Sequence, residues 1–138
     1  MALVEMTKDL ETGHFSIDEQ HKELFDRINA LHDAVEGEKD VSQIETVFDF
    51  LENYVIAHFS MEEKLMIKES YPDYEKHKDK HVYFIKEFME IRDSFTRNKK
   101  DNDYWEDVKL MESLLKDWLL NHIKTVDKEL GIFLTGNV

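Results

Sequence analysis

Four stretches of this sequence repeat apolar residues with the 3.6-residue period of an α-helix, and short polar breaks separate them. The 138 residues include a single proline and four glycines, so little interrupts these helices. Four long helices with short connections favour antiparallel neighbours. The sequence therefore predicts an all-α fold, an antiparallel up-down-up-down four-helix bundle, in which residues 1–138 form a single domain.

Capping signals predict where each helix begins and ends. Ser16 and Glu19 have the spacing of a capping box, which would start the first helix. The later signals are an interruption at 37–40, Asp40 or Ser42 as the cap of the second helix, Pro72 in the first turn of the third, a polar break at 96–103, and an end of the fourth helix near Leu130 and Gly131.

Five of the seven histidines lie on the apolar stripes of these helices, together with Glu62. A single histidine in such a place is usually a core residue bonded to a backbone carbonyl. Five of them on four inward faces need a common partner, because each buried polar group left unpaired costs about 1–3 kcal/mol. A metal site is that partner, and its candidate ligands are His21, His58, Glu62, His77, His81, His122 and Asp127.

The order of the helices brings these candidates to one end of the bundle. His21 lies early in the first helix and His58 late in the second, and the third and fourth helices repeat that order. His58 and Glu62, like His77 and His81, are four residues apart and share a helix face. In an antiparallel bundle all of them meet at the same level.

Asp127 fits this pattern less simply than the other candidates. A straight α-helix turns about 500° over the five residues from His122 to Asp127, which leaves the two side chains about 140° apart. If Asp127 is a ligand, the sequence predicts a local bulge or a loosened helix end near Thr125.

The donor types constrain the metal. Five imidazoles and two carboxylates exceed the four positions of a zinc site and suit two octahedral ions. The chain has no cysteine, so thiolate sites and thiol redox chemistry are excluded. Imidazole and carboxylate suit iron, and they also tolerate manganese, zinc, copper or nickel. Two irons that share one oxo or hydroxo bridge and two bridging carboxylates use these donors best.

The charge and hydropathy of the chain exclude other classes of partner. A formal net charge of -13 disfavours binding to nucleic acid or to an anionic membrane surface. No apolar run approaches the length of a membrane span, and the first residues lack the pattern of a signal peptide. We therefore expect a cytoplasmic protein, and a monomer.

Several separated blocks, in the right order, resemble the bacterial hemerythrins, and the resemblance covers nearly all of the chain. It implies that His77, His81 and His122 bind one iron, that His21 and His58 bind the second, and that Glu62 and Asp127 bridge the two. It also implies an open position on the second iron, where dioxygen binds, and an N-terminal arm over the metal end. The blocks are Ile17-Asp18-x-Gln20-His21-Lys22, His58-Phe59-x-x-Glu62-Glu63, Tyr71-Pro72, His77-x-x-x-His81, and Trp118-Leu119-x-x-His122-Ile123 with Asp127.

Two residues before the first helix depart from that family pattern. Met6 stands where the family carries a tryptophan, and His14 stands where a small aliphatic residue is usual. Because the resemblance places His14 against the open position, its imidazole is a further candidate ligand or a hydrogen-bond donor there. The alternative is an exposed loop histidine. His32, eleven residues beyond His21, is about 16 Å along the helix and is not expected to bind metal.

The residues around the ligands bear on function. Phe59, Trp118, Leu119 and Ile123 flank the ligand histidines and are expected to form a dry wall around the site. Glu63, adjacent to Glu62, is expected to face solvent. These features favour a protein that binds dioxygen or another small diatomic or anionic ligand, for storage, delivery or scavenging. The alternative is a diiron redox enzyme of peroxidase or nitric-oxide-handling type, with His14 modifying the open iron; a sensor module is a third class.

Overall fold

A computed structural model describes residues 3–37 and 40–136, and within these ranges it contains helices and no strand. Helix α1 is Phe15–Glu36, α2 is Val41–Lys68 and α3 is Tyr74–Asn98. A fourth helical run, residues 105–135, is α4. Consecutive helices pack on one another and α1 also packs on α4, which closes the bundle. The predicted all-α four-helix bundle is confirmed.

The start of α1 differs from the predicted capping box. His14 is the N-cap, and its Nδ1 accepts a hydrogen bond from the backbone N–H of Ile17 at 3.3 Å. Asp18, in the first turn, reaches back to accept bonds from the backbone N–H groups of Thr12 and Gly13 at 2.8 Å and 3.2 Å. The helix thus begins at Phe15, and Asp18 rather than Ser16 ties it to the preceding segment.

The other predicted boundaries are correct in part. Asp40 caps α2 as expected, because its Oδ1 accepts a bond from the backbone N–H of Gln43 at 3.0 Å. Pro72 lies in the turn before α3, not in the first turn of that helix, since α3 begins at Tyr74. Helix α3 then extends into the polar break and ends at Asn98, where the 3₁₀ turn Lys99–Asp101 follows.

The predicted end of α4 at Gly131 is wrong. The helix continues to Thr135, and the backbone of Thr12 crosses directly over Gly131. A Cβ atom added to Gly131 would lie 2.3 Å from the Thr12 carbonyl oxygen. Gly131 is therefore required by a close approach between the N-terminal segment and α4, and not by the end of a helix.

Helix α4 is not uniformly α-helical. It consists of α-helix at Trp105–Ser113, a π-helical turn at Leu114–Trp118, α-helix at Leu119–His122, a second π-helical turn at Ile123–Asp127, and α-helix at Lys128–Thr135. The second π turn confirms the departure from α-helical geometry predicted near Thr125. Each turn inserts one residue into the helical ladder.

The main hydrophobic core fills the bundle from the candidate ligand end to the opposite end. The N-terminal arm, residues 3–14, adds Val4 and Leu10 to that core. Asn29 of α1 holds the arm, because its side chain accepts from the backbone of Leu3 and Val4 and donates to the Val4 carbonyl. No helix in the part of the chain that the structure describes is long and apolar enough to cross a membrane.

Candidate metal centre

All seven candidate ligands are buried at the same end of the bundle. Their exposed fractions do not exceed 2%, although each carries a polar or charged side chain. Every helix contributes: His21 from α1, His58 and Glu62 from α2, His77 and His81 from α3, and His122 and Asp127 from α4.

These residues form two groups of donor atoms that share their carboxylates. One group contains His77, His81 and His122, and the other contains His21 and His58. Glu62 and Asp127 belong to both groups, and within each group the donor atoms lie within 4.8 Å of one another. Each group is compatible with one bound cation.

Each shared carboxylate divides its two oxygens between the groups. Oε1 of Glu62 lies 3.6 Å and 3.2 Å from Nε2 of His77 and His81. Its Oε2 lies 3.8 Å and 3.4 Å from Nε2 of His21 and His58. A carboxylate in this position can bind one ion through each oxygen.

Asp127 repeats this division. Its Oδ1 lies 3.0 Å from Nε2 of His77 and 3.1 Å from Nε2 of His122. Its Oδ2 lies 3.1 Å from Nε2 of His21. The π turn makes this contact possible: the Lys128 N–H bonds to the Ile123 carbonyl, an i→i+5 bond that widens the turn between His122 and Asp127.

The geometry between these donors fits bound metal ions better than direct hydrogen bonds. None of the five Nε2 atoms and none of the four carboxylate oxygens has a hydrogen-bond partner among the described residues, although all are buried. Two ligand atoms at right angles, each about 2.1 Å from one ion, would be about 3.0 Å apart. The observed separations of 3.0–3.8 Å are compatible with atoms that point at a common centre.

Two side chains outside the donor groups contact the Nδ1 atoms of candidate ligand imidazoles and leave the Nε2 atoms facing the donor groups. Oε1 of Gln20 lies 2.8 Å from Nδ1 of His58, and Oε2 of Glu63 lies 2.9 Å from Nδ1 of His81. The expectation that Glu63 faces solvent is wrong, because its side chain is long enough to fold back onto α3. Such partners fix the ring orientation and leave Nε2 free to bind metal.

Aromatic rings cover two of the imidazoles. Phe59 is stacked on His81 with ring centroids 3.8 Å apart, and Trp118 is stacked on His122 at 4.8 Å. Leu119 and Ile123, the other predicted wall residues, are buried in the adjoining core. The candidate centre is therefore bordered by apolar side chains on the side that faces the main hydrophobic core.

A second apolar cluster lies beyond the ligands, at the end of the bundle. Ile17, Met66, Tyr71 and Leu130 form it. Three of them lie about one helical turn past a ligand in the same helix: Ile17 past His21, Met66 past Glu62 and Leu130 past Asp127. The candidate centre is thus enclosed between two apolar layers.

The buried charges perturb one another strongly. Burial and the neighbouring charge of Asp127 act to raise the pKa of Glu62, but His58 and His77 hold that pKa well below its usual range. Burial likewise acts to raise the pKa of Asp127, and His122, His21 and His77 hold it well below its usual range. Both carboxylates are therefore ionised, which suits them to bind cations.

The pKa values of two of the imidazoles are raised, whereas those of the carboxylates are lowered. Burial acts to lower the pKa of His77, but close contact with Asp127 and Glu62 raises it to about 9. Burial acts to lower the pKa of His58 too, but the charge and close contact of Glu62, together with the charge of Asp127, outweigh it and raise that pKa. In the absence of metal, protons occupy part of the site, so metal binding has to release them.

The structure leaves three residues of interest outside both donor groups. His14 caps α1 through Nδ1, as described above, and is not a member of either group. Met6 is partly buried and packs against the main core. His32 pairs with Glu112 of α4 at 2.8 Å and with Glu36 at 3.7 Å, which agrees with its predicted exclusion from the centre.

A four-helix bundle with two histidine-rich donor groups that share two carboxylates defines a class of cation-binding helical protein. A family model described as the hemerythrin HHE cation binding domain matches residues 12–131. The chain belongs to the hemerythrin family, as the sequence motifs predicted.

Individual relatives agree with this assignment. The chain is 37% identical to a bacteriohemerythrin of Pseudomonas paraeruginosa over 127 residues, which is 92% of this chain and 78% of the relative. It is 36% identical to a bacteriohemerythrin of Methylococcus capsulatus over 120 residues, 86% of each chain. A crystal structure of a hemerythrin leucine-to-tyrosine variant superposes with a TM-score of 0.84 at 31% identity, covering 98% of this chain and 99% of that one.

Proposed function

We propose that this protein holds two iron ions in the two donor groups and binds dioxygen at one of them. The observation that carries the proposal is the division of Glu62 and Asp127, each with one oxygen toward either group. The remaining ligands in the proposal are His77, His81 and His122 for one ion and His21 and His58 for the other.

The two groups differ in the number of donors. The first offers five residues and the second offers four. If an oxygen atom were shared between the two ions, the first ion would have six donors and the second would have five, which would leave one position open at the second. An open position of this kind suits dioxygen or another small diatomic or anionic ligand.

A bound pair of ferrous ions supplies two electrons and a position for dioxygen. The residues of the chain supply the surroundings that keep such binding reversible. Phe59, Trp118 and the Ile17 cluster exclude water from the imidazoles, while Gln20 and Glu63 fix the rings of His58 and His81. Because water is excluded, few protons reach a bound ligand. The ligand can then dissociate as dioxygen instead of being protonated and lost as peroxide.

Dioxygen binding is preferred over the redox-enzyme alternative because of where His14 lies. An imidazole at the open position would have favoured peroxidase or nitric-oxide chemistry. The His14 Nδ1 instead accepts from the Ile17 N–H, and His14 belongs to neither donor group. We therefore propose storage, delivery or scavenging of dioxygen, with the seven residues as the complete set of protein ligands.

The test combines metal analysis with spectroscopy. Iron reconstitution without oxygen should give about two irons per chain, and exposure to oxygen should produce the charge-transfer bands of a bridged ferric pair, reversed by removal of oxygen. Glu62→Ala and Asp127→Ala should each abolish the bridged spectrum, because each removes a donor from both ions.

His32→Ala is the matched control, since His32 lies on the same helix as His21 but pairs with Glu112. Its iron content and spectrum should equal those of the parent protein. One iron per chain or none in the parent would refute the diiron proposal. Rapid peroxide turnover without reversible oxygen binding would favour the redox enzyme instead.

A further inference from the structure

Trp118 connects the candidate metal centre with the protein surface. Its indole is stacked on the His122 imidazole, with ring centroids 4.8 Å apart and planes inclined by 12°. Tyr83 lies on the outer side, with its ring centroid 6.1 Å from the indole, and is 51% exposed. Trp118 itself is only partly buried. An aromatic path therefore leads from a proposed iron ligand to solvent.

The outer end of this path opens into a groove between α3 and α4. Its lining residues are Lys76, Asp79, Lys80, Tyr83 and Trp118, and its volume is about 360 Å³. This volume falls within the range of small-molecule sites. Two aromatic rings beside ammonium groups suit a planar aromatic molecule that carries an anionic group.

The charge of this groove is opposite in sign to that of the whole chain. Two lysines and one aspartate give its lining a net positive charge, whereas the chain has a formal charge of -13. Lys76 and Lys80 lie one helical turn apart, and neither forms an ion pair with any residue of 3–37 or 40–136. Both ammonium groups are therefore available to an anion.

A second lysine groove lacks the aromatic features. It lies on α2 and is lined by Ala57, Ser60, Met61, Lys64, Leu65 and Lys68. It carries two lysines but no aromatic ring. Positive charge alone thus does not distinguish the groove between α3 and α4, which we call the Trp118 groove. Its distinguishing feature is the aromatic path from Tyr83 through Trp118 to His122.

We propose that the Trp118 groove is the electron-entry site of the protein and that it binds a reduced flavin bearing a phosphate group. This inference rests on the proposed diiron centre. The flavin hydroquinone loses one electron, which passes by way of Trp118 and reduces one ferric ion to the ferrous state. A second electron, from the semiquinone, reduces the other ion. The flavin ends as the quinone, and its two protons pass to solvent.

The first test compares two reductants of opposite charge. Diferric protein is mixed anaerobically with photoreduced flavin mononucleotide, an anion, or with methyl viologen radical, a cation, and loss of the ferric spectrum is timed. In roughly 10 mM salt, where the screening length is about 30 Å, the K76E/K80E variant should react about fivefold more slowly with the flavin. It should react faster with the viologen. A lowered driving force would instead slow both reductants, and that result would overturn the docking assignment.

The matched control is K64E/K68E, which makes the same change in net charge in the second lysine groove. Its rate with the flavin should fall by a smaller factor than that of K76E/K80E. Equal effects of the two variants would show that only overall charge matters, and would overturn the assignment of the entry site.

The second test addresses the path itself. Trp118→Leu should slow reduction by both donors, and Trp118→Phe, which keeps a ring over His122, should fall between it and the parent. Iron content and the ferric spectrum are compared with the parent before rates are measured. Parental rates in Trp118→Leu would overturn the path, and if that variant fails to hold iron, Trp118→Phe and the lysine pairs decide the question. Absence of a ferric pair in the parent would instead refute the diiron proposal.

Discussion

Replacement of Gly131 by alanine tests how firmly the N-terminal arm is seated over the metal end. Alanine in a helix interior is normally about 1 kcal/mol more favourable than glycine. Here the new Cβ would lie 2.3 Å from the Thr12 carbonyl oxygen and 2.6 Å from the Thr12 Cβ. Overpacking of this kind costs about 1–3 kcal/mol. The contact therefore reverses the sign expected from helix propensity.

The displaced arm also loses hydrogen bonds. The Thr12 N–H and hydroxyl donate to Asp18 at 2.8 Å and 2.7 Å, and each such bond to a carboxylate contributes about 1.5 kcal/mol. We add the overpacking cost, subtract the gain in helix propensity, and assume that half of the combined contribution of these two bonds is lost. The free energy of unfolding should then fall by about 2 kcal/mol in total. For a chain of this size the melting temperature should fall by roughly 8 °C.

Thermal unfolding of the Gly131→Ala protein, followed by circular dichroism, measures this effect. The same substitution is also made in an Asp18→Ala protein, in which the hydrogen bonds that hold Thr12 over Gly131 are already absent. The two substitutions should couple, so that Gly131→Ala costs at least 1 kcal/mol less when Asp18 is absent, on the order of the coupling between contacting residues. A more stable Gly131→Ala protein would refute the close approach.

Three further outcomes are expected. Iron-loaded protein should melt at a higher temperature than iron-free protein, because the proposed ligands come from all four helices and bind metal only when the bundle is folded; identical melting would contradict this. Because the pKa of His77 is raised from 6.5 to about 9, its stabilising effect in the iron-free protein is complete below pH 6.5 and is lost as the pH rises through 9. The melting temperature should fall over that interval, and an increase would count against the close contacts of His77 with Asp127 and Glu62. His14→Ala should lower the free energy of unfolding by about 1 kcal/mol through loss of the α1 cap, with iron content and azide affinity unchanged; a changed azide affinity would show that His14 reaches the open position.

The features of the site that repeat along the helices could be predicted from the sequence. The 3.6-residue period identified the four helices, and the position of each histidine along its helix identified the end at which they meet. The spacing from His122 to Asp127 even required a departure from α-helical geometry, which the turn at Ile123–Asp127 supplies. Each of these inferences depends on residues close together in one helix.

The features that depend on distant residues were not predictable. Gly131 resembles the end of a helix unless one knows that Thr12, more than a hundred residues earlier, crosses over it. The π turn at Leu114–Trp118 joins no pair of candidate ligands, so no spacing revealed it. Histidine is an uncommon helix cap, which left the role of His14 open to other interpretations.

The two π turns give α4 a tolerance of chain length that the other helices lack. Deletion of Lys124, an exposed residue, would tighten the second turn to an α-helical one and leave Asp127 four residues from His122, the spacing that already joins His58 to Glu62. Deletion of one residue between His77 and His81 would instead rotate one imidazole by about 100° away from the other. Among the described segments that carry proposed ligands, only this turn contains one residue more than an α-helical turn needs. We therefore expect that one residue can be removed there without turning any proposed ligand away from the centre of the bundle.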